Sequence, residues 1–145
     1  MHIEMISWQQ ALPIRQQVLW PNKSLSFCQV EGDELGLHFG AFKSVSAATT
    51  QAFEHSQLVA VASVYIAGDR ARLRKFATLP EHQNQGIGTA MIHHILTELQ
   101  RHQVKVFWCD ARASAVGFYE QFSMTRHGAV FTKSGVEYYK MQRLL

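Results

Sequence analysis

Cysteine is scarce in this chain of 145 residues, and Cys28 and Cys109 stand far apart without a Cys-x-x-Cys neighbour. That excludes a disulfide framework and points to reduced thiols in a cytoplasmic protein. No apolar run approaches the ~20 residues that a membrane-spanning helix needs, so no membrane association is expected. The first eight residues, Met1-His-Ile-Glu-Met-Ile-Ser-Trp8, lack a basic head followed by an apolar core, and no secretory leader is expected. Excess charge is lacking too. Fourteen Lys and Arg against eleven Asp and Glu give a formal +3. That balance mildly favours an anionic ligand, and no basic run is dense enough to argue for nucleic acid. Repeats, low-complexity tracts and linkers are absent. Residues 1–145 suit one domain, long enough for a real core.

Histidine is plentiful, with eight copies, and His82, His93, His94 and His102 invite a metal reading. His93 and His94 point ~100° apart on a helix and cannot easily share an ion. No His-Glu-x-x-His occurs, so surface histidines and no metal are expected.

The pattern of apolar residues describes an α/β chain. Residues 1–7 suit a first strand, and 9–19 an amphipathic helix that ends before Pro21. Residues 35–42 alternate as a strand, and 58–66 form a β-branched one. Gly68-Asp69 supplies a hairpin turn into a strand over 70–79. Ile87, Met91, Ile95 and Leu99 then recur every fourth residue, the buried face of a helix ending near Gln103. A buried strand over 104–109, a short helix over 113–122 and two late strands, 129–131 and 137–141, complete a mixed sheet flanked by helices. The polar stretch between Phe42 and Leu58 has no strong period and reads as a weak helix or a long hairpin loop.

The most informative segment is Leu73-Arg-Lys-Phe-Ala-Thr-Leu-Pro-Glu-His-Gln-Asn-Gln-Gly-Ile-Gly-Thr-Ala-Met91. It reads as a strand, a sharp turn and a helix whose first turn holds Gly86 and Gly88. Such a helix start offers unpaired backbone N–H groups and a positive dipole end to a phosphate-bearing ligand. A dinucleotide-binding reading is poorer, because Met91 takes the third glycine position and no βαβ unit opens the chain. A P-loop reading fails for want of Gly-Lys-Ser/Thr. The spacing Gln83-x-x-Gly86-x-Gly88 resembles the acyl-CoA pyrophosphate signature of the GNAT superfamily of N-acyltransferases.

That resemblance covers most of the chain and implies a GNAT fold with acetyl-CoA as cosubstrate. It assigns the pyrophosphate to Gln83, Asn84, Gln85, Gly86, Ile87, Gly88 and Thr89. It assigns the pantetheine arm and the thioester carbonyl to the backbone of Phe76, Ala77 and Thr78, at a bulge that splays this strand. Downstream, Cys109-Asp-Ala-Arg-Ala-Ser-Ala-Val-Gly-Phe-Tyr-Glu-Gln-Phe122 resembles the family's strand-then-helix segment, in which a tyrosine protonates the leaving thiolate. Here that residue is Tyr119; the bland alternative makes it aromatic core beside Phe118 and Phe122. Three departures from the family pattern stand out. Arg112 replaces the asparagine that binds the pantetheine arm, and Asp110 can fill part of that role. Ser123-Met124 replaces a Gly-Phe turn. The segment 43–57 is longer than the family's usual turn and reads as a surface insertion.

The acceptor side is less legible. A free amine must attack, so a base or a water relay must remove a proton. Candidates on the substrate side are His38, Asp110 and Arg112, with His127 and Glu137 as further bases, each as readily structural. Tyr138 lies where some relatives carry a histidine. Arg70, Arg72 and Arg74 repeat with period two and read as one solvated face of a hairpin. The resemblance thus implies an N-acetyltransferase working in a ternary complex with an amine acceptor, small molecule or protein. It also admits a homodimer built on the late strands. The alternative is a non-catalytic acyl-CoA-binding sensor or interaction domain.

Overall fold

The computed structural model describes residues 1–45 and 55–145. Seven strands, β1 (His2–Ile6), β2 (Leu37–Val45), β3 (His55–Ala67), β4 (Arg70–Thr78), β5 (Val106–Arg112), β6 (Thr125–Lys133) and β7 (Val136–Leu144), form one sheet in the order β1-β2-β3-β4-β5-β7-β6. Three α-helices accompany them: α1 (Trp8–Leu19), α2 (Ile87–Leu99) and α3 (Val116–Glu120). The sheet is mixed, since β4 and β5 run parallel while β1–β2, β5–β7 and β6–β7 are antiparallel. Contacts divide the chain into two compact units, Met1–Ser63 with Lys75–Ile95, and Val64–Arg74 with Leu96–Leu145.

In the first unit, Ser7 starts α1 by a reciprocal cap. Its Oγ accepts from Gln10 N at 3.1 Å, and Gln10 Oε1 accepts from Ser7 N at 2.8 Å. The helix stops before Pro21, where Trp20 N donates to the Arg15 and Gln16 carbonyls. Its inner face holds Ala11, Leu12, Ile14 and a charged residue, Arg15, fully buried. The Arg15 guanidinium forms a fork on Asp33, Nη1 to Oδ2 at 2.8 Å and Nη2 to Oδ1 at 3.0 Å. It also donates to the Cys28 carbonyl at 3.0 Å and to Ser63 Oγ at 2.9 Å. Asp33 accepts the Val30 N–H as well, at 2.8 Å. This network pins the irregular chain between α1 and β2, which contains two short 3₁₀ turns, Ser26–Cys28 and Asp33–Leu35. Because Leu35 belongs to the second turn and is exposed, β2 begins at Leu37 rather than at the expected 35. At its far end β2 runs to Val45, and β3 starts at His55, so both ends of the supposed 43–57 insertion are strand. The remainder of that expectation lies outside the described residues.

The stripe Ile87, Met91, Ile95 and Leu99 along α2 is buried, each residue 2% exposed or less. In the second unit, Ala71, Leu73, Phe107, Cys109, Ala111 and Met141 alternate inward along β4, β5 and β7. Gly68, at φ +62°, makes the β3–β4 turn, and the Asp69 carbonyl accepts Lys105 N and Val106 N at 2.7 and 3.1 Å. Several bounds depart from expectation here, among them those of β7, which runs Val136–Leu144 rather than 137–141. β5 extends three residues past Cys109, because Asp110 and Arg112 continue the outward positions of the alternation. The helix expected over 113–122 is a 3₁₀ turn, Ala113–Ala115, followed by the single short helix α3. β6 is nine residues long, not three; almost all of it is exposed at the sheet edge, so burial leaves no alternation in its sequence. The Ser123 that replaces glycine after α3 takes φ +62°, a left-handed conformation that costs a residue with a Cβ.

Candidate functional site

The first unit contains the last part of β4 and the glycine loop. Lys75 has φ +54° in mid-strand, a left-handed residue with a side chain where extended backbone is the rule. It kinks β4 immediately before Phe76, Ala77 and Thr78, the residues assigned to the thioester and the pantetheine arm. Beyond Thr78, Leu79 N donates to the Val59 carbonyl at 2.9 Å, and a 3₁₀ turn, Pro80–His82, redirects the chain. Gln83 Nε2 donates back to the Thr78 carbonyl at 3.1 Å, fastening the loop to the end of the strand. Asn84 at φ +60° and Gly86 at φ +81° are left-handed on either side of Gln85. Alternation of this kind is the backbone pattern from which anion-binding nests of successive N–H groups are built. A Cβ on Gly86 would meet nothing within 4 Å, so the backbone angle and not crowding calls for glycine. Helix α2 starts directly after the nest, its first i→i−4 bond running from Ala90 N to the Gly86 carbonyl at 3.1 Å. The N–H groups of Ile87, Gly88 and Thr89 precede that bond, as in any first turn. Gln85 donates to the Glu81 carbonyl at 3.3 Å, and its Oε1 accepts from Lys43 on β2. Lys43 is a cation beside the nest that sequence reasoning missed, since nothing in a chain separation of 42 residues announces the contact.

His38 lies in the first unit too, but not at a surface. It is 3% exposed, with Nδ1 2.7 Å from Ser63 Oγ and Nε2 2.8 Å from the Asp33 carbonyl. A carbonyl only accepts, so Nε2 donates to it, while Nδ1 shares a hydrogen bond with the Ser63 hydroxyl. Both ring nitrogens are thus spent on the Arg15–Asp33 network. His94 packs edge-on against Phe39, with centroids 5.8 Å apart, and His93 is exposed. Among the described residues no group of three His, Cys, Asp or Glu side chains is disposed to hold a metal ion.

The second unit carries the other candidates. The β4–β5 ladder comprises Arg70↔Val106, Ala71↔Phe107 and Arg72↔Trp108 and then stops, although β5 continues to Arg112. Asp110 is held by Arg72 Nη2 at 3.0 Å and Lys133 Nζ at 3.7 Å. Arg112 is exposed and opposite Tyr138 in the β5–β7 register. His127 is exposed and contacts Thr125, and Glu137 is exposed on β7. The β4 arginines are half-buried rather than simply solvated. Arg72 lies over the Trp108 ring at 4.6 Å and Arg74 over Tyr65 at 6.0 Å.

Tyr119 sits on α3, half-buried, its ring edge-on to Phe118 at 5.1 Å. Burial, and next the nearby Cys109, push its phenol above the ordinary value, so it is fully protonated at neutral pH. Burial likewise pushes the Cys109 thiol up to about 12, with Asp110 adding to the shift and Arg72 opposing it. Below pH 9 this thiol keeps its proton in the folded and unfolded chain alike. Above pH 9 the unfolded chain releases a proton that the folded one retains, so stability falls as pH rises from 9 towards 12. The expected slope from this group is about 1.4 kcal/mol per pH unit. Urea denaturation of the wild type and Cys109→Ala across that range would show the slope only with the thiol present; parallel curves would contradict it.

Comparison with known proteins identifies the family. Residues 41–145 match the Acetyltransferase (GNAT) domain. The chain belongs to the GNAT acetyltransferase family. It is 28% identical over 140 residues to the uncharacterized N-acetyltransferase YitI of Bacillus subtilis, covering 94% of this chain and 90% of that one. Over 73 residues it is 33% identical to the ribosomal protein bS18-alanine N-acetyltransferase of Escherichia coli, 48% of this chain and 49% of that one. Among solved structures, an aminoglycoside 6'-N-acetyltransferase complexed with coenzyme A superposes with a TM-score of 0.75, at 12% identity and 99% and 97% coverage. A putative N-acetyltransferase from Lactobacillus plantarum reaches 0.77 at 13% identity, covering 100% and 99%. These likenesses establish the GNAT fold, a mixed seven-stranded sheet with three helices, whose family typically uses acetyl-CoA. Among the described residues no helix is long and apolar enough to cross a membrane.

Proposed function

We propose that this GNAT enzyme transfers an acetyl group from acetyl-CoA to a primary amine by direct attack in a ternary complex. The observation that carries the reading is the run from the left-handed Lys75 through the paired left-handed turns at Asn84 and Gly86 into α2. Bound acetyl-CoA would supply an activated acyl thioester. The backbone N–H groups from Gln83 to Thr89 hold the diphosphate, helped by the α2 dipole. The backbone of Phe76, Ala77 and Thr78 orients the arm and polarises the carbonyl. Tyr119 Oη holds a proton for the departing sulfur. No protein nucleophile is required: both thiols are buried, and Cys109, pushed up to about 12, presents almost no thiolate near neutrality. His38 has no spare ring nitrogen, so solvent relays the proton that the amine loses. Two reduced, buried thiols suit the cytoplasm. The relatives' named acceptors, a ribosomal-protein alanine and an aminoglycoside, put both peptide α-amines and small amines in the acceptor class to test.

Thermal unfolding with CoA, acetyl-CoA, longer acyl-CoAs and NAD in parallel tests the cofactor half. Stabilisation by the CoA series alone is expected, followed by amine-dependent thiol release. No shift with any CoA would remove the assignment, and binding without turnover on any amine would favour an acyl-CoA sensor. Gly86→Val probes the loop. Forcing a β-branched residue into a left-handed angle costs ~1–2 kcal/mol, so calorimetry should find CoA binding weakened by about tenfold as the nest relaxes. Unchanged affinity would mean that these N–H groups do not hold the diphosphate.

A further inference from the structure

The second unit's sheet has a face that no cofactor contact assigned above uses. Away from its buried side it presents six cationic side chains: Arg70, Arg72 and Arg74 from β4, Arg112 from β5, Lys133 from β6 and Lys140 from β7. One carboxylate, Asp110, accompanies them. The registers put these residues on one side, since Arg72 pairs with Trp108, Asp110 with Lys140, and Arg112 with Tyr138. Contacts agree, because Trp108 has Arg72 at 4.6 Å, Lys140 at 4.8 Å and Arg70 at 5.9 Å, while Lys133 lies 4.9 Å from Tyr138.

Six of the chain's fourteen Lys and Arg, but one of its eleven Asp and Glu, are therefore on this face, and the rest of the chain is net negative. Like charges crowded round one indole repel, and the single carboxylate is already shared between Arg72 and Lys133. Hydrogen-bonding capacity is also left over. Arg72 Nε is buried with no hydrogen-bond partner, and the exposed Arg112 side chain has no hydrogen bond or ion pair among the described residues.

We propose that this face docks an acidic stretch of extended polypeptide, with Asp and Glu carboxylates seated on these cations. The face spans β4, β5, β7 and β6, three interstrand steps of ~4.8 Å, which is too broad for one small anion. An extended peptide repeats its side chains on one side every ~7 Å, so two or three carboxylates fit that width. A second copy of this chain does not suit, because it would oppose cations with cations. Single-stranded nucleic acid suits less well, because base stacking needs an open ring, and Trp108 is already engaged by arginine and lysine.

Fluorescence anisotropy on the full chain tests this, using a labelled dodecapeptide that alternates Glu and Ser. A matching Lys–Ser peptide and labelled oligothymidine serve as comparisons. The Glu peptide should bind saturably at low salt and loosen as salt is added, while the Lys peptide should not bind. Lys140→Glu should weaken binding by about tenfold or more. Arg112→Glu, at an exposed position, should weaken it as well and keeps the test open should Lys140→Glu fail to fold. No binding of the Glu peptide, affinity indifferent to both reversals in folded protein, or tighter binding of oligothymidine would each overturn the proposal.

Discussion

Asp33→Ala is expected to remove about 3–5 kcal/mol from the free energy of unfolding, the cost of leaving a buried charge without its partner. Arg15 has no exposed surface, Asp33 has 3%, and the fork between them is the centre of the network that anchors the irregular chain before β2. Without the carboxylate, the guanidinium loses its two-point partner and is left with acceptors such as the Cys28 carbonyl and Ser63 Oγ, and Val30 N loses the Asp33 oxygen. For a chain of this size the loss corresponds to a fall in Tm of roughly 10 °C. The double variant Arg15→Met with Asp33→Ala should recover much of the loss, because removing both charges avoids stranding either one. Urea denaturation of the single and double variants measures both effects. A single-variant loss below about 1 kcal/mol would show that water reaches the guanidinium and that the pair is not isolated.

That network was nearly invisible in the sequence, and the reason is distance along the chain. Arg15 meets partners 13, 18 and 48 residues away. One local signal was there. Arg15 lies four residues after Ala11 on the apolar stripe of α1, and a charge at a core position implies a buried counter-charge. By contrast the β3–β4 hairpin, the glycine loop and the stripe on α2 rest on chemistry written within a few residues: a Gly-Asp turn, two glycines and a period of four. His38 shows the limit of such reasoning. Its strand was legible, but whether the imidazole meets a cleft or a buried serine depends on Ser63, 25 residues on. The period of Arg70, Arg72 and Arg74 was equally plain, but Trp108 and Lys140, which make that face more than a solvated hairpin, arrive from β5 and β7. Edge strand β6 was underestimated because exposure on nearly every residue removes the alternation that marks a strand.

Tyr119→Phe should lower kcat by about a hundredfold while leaving acetyl-CoA affinity little changed, the lower end of what a positioned acid contributes. The lower end follows from the environment of the phenol. A thiol of ordinary pKa near 8.5 is a stronger acid than a phenol near 10, so proton transfer from tyrosine to a thiolate is already uphill. Burial beside Phe118 and Cys109 pushes the phenol higher still and penalises the tyrosinate that transfer would leave. Tyr119 therefore cannot act as a free-standing strong acid. In the proposed role it would give up its proton as sulfur departs only if another arrived in concert, and the proton shed by the attacking amine is the natural source. The phenylalanine variant loses the donor but keeps the ring, so the packing of α3 is preserved and thermal unfolding should be little altered. Thiol release under saturating acetyl-CoA gives the turnover, and calorimetry with CoA gives the affinity. The wild-type pH profile is a second check, because a phenol so protected stays protonated well above pH 10, and activity should not decline through Tyr119 below that point. Equal turnover in the variant would remove the acid role and return Tyr119 to the aromatic core.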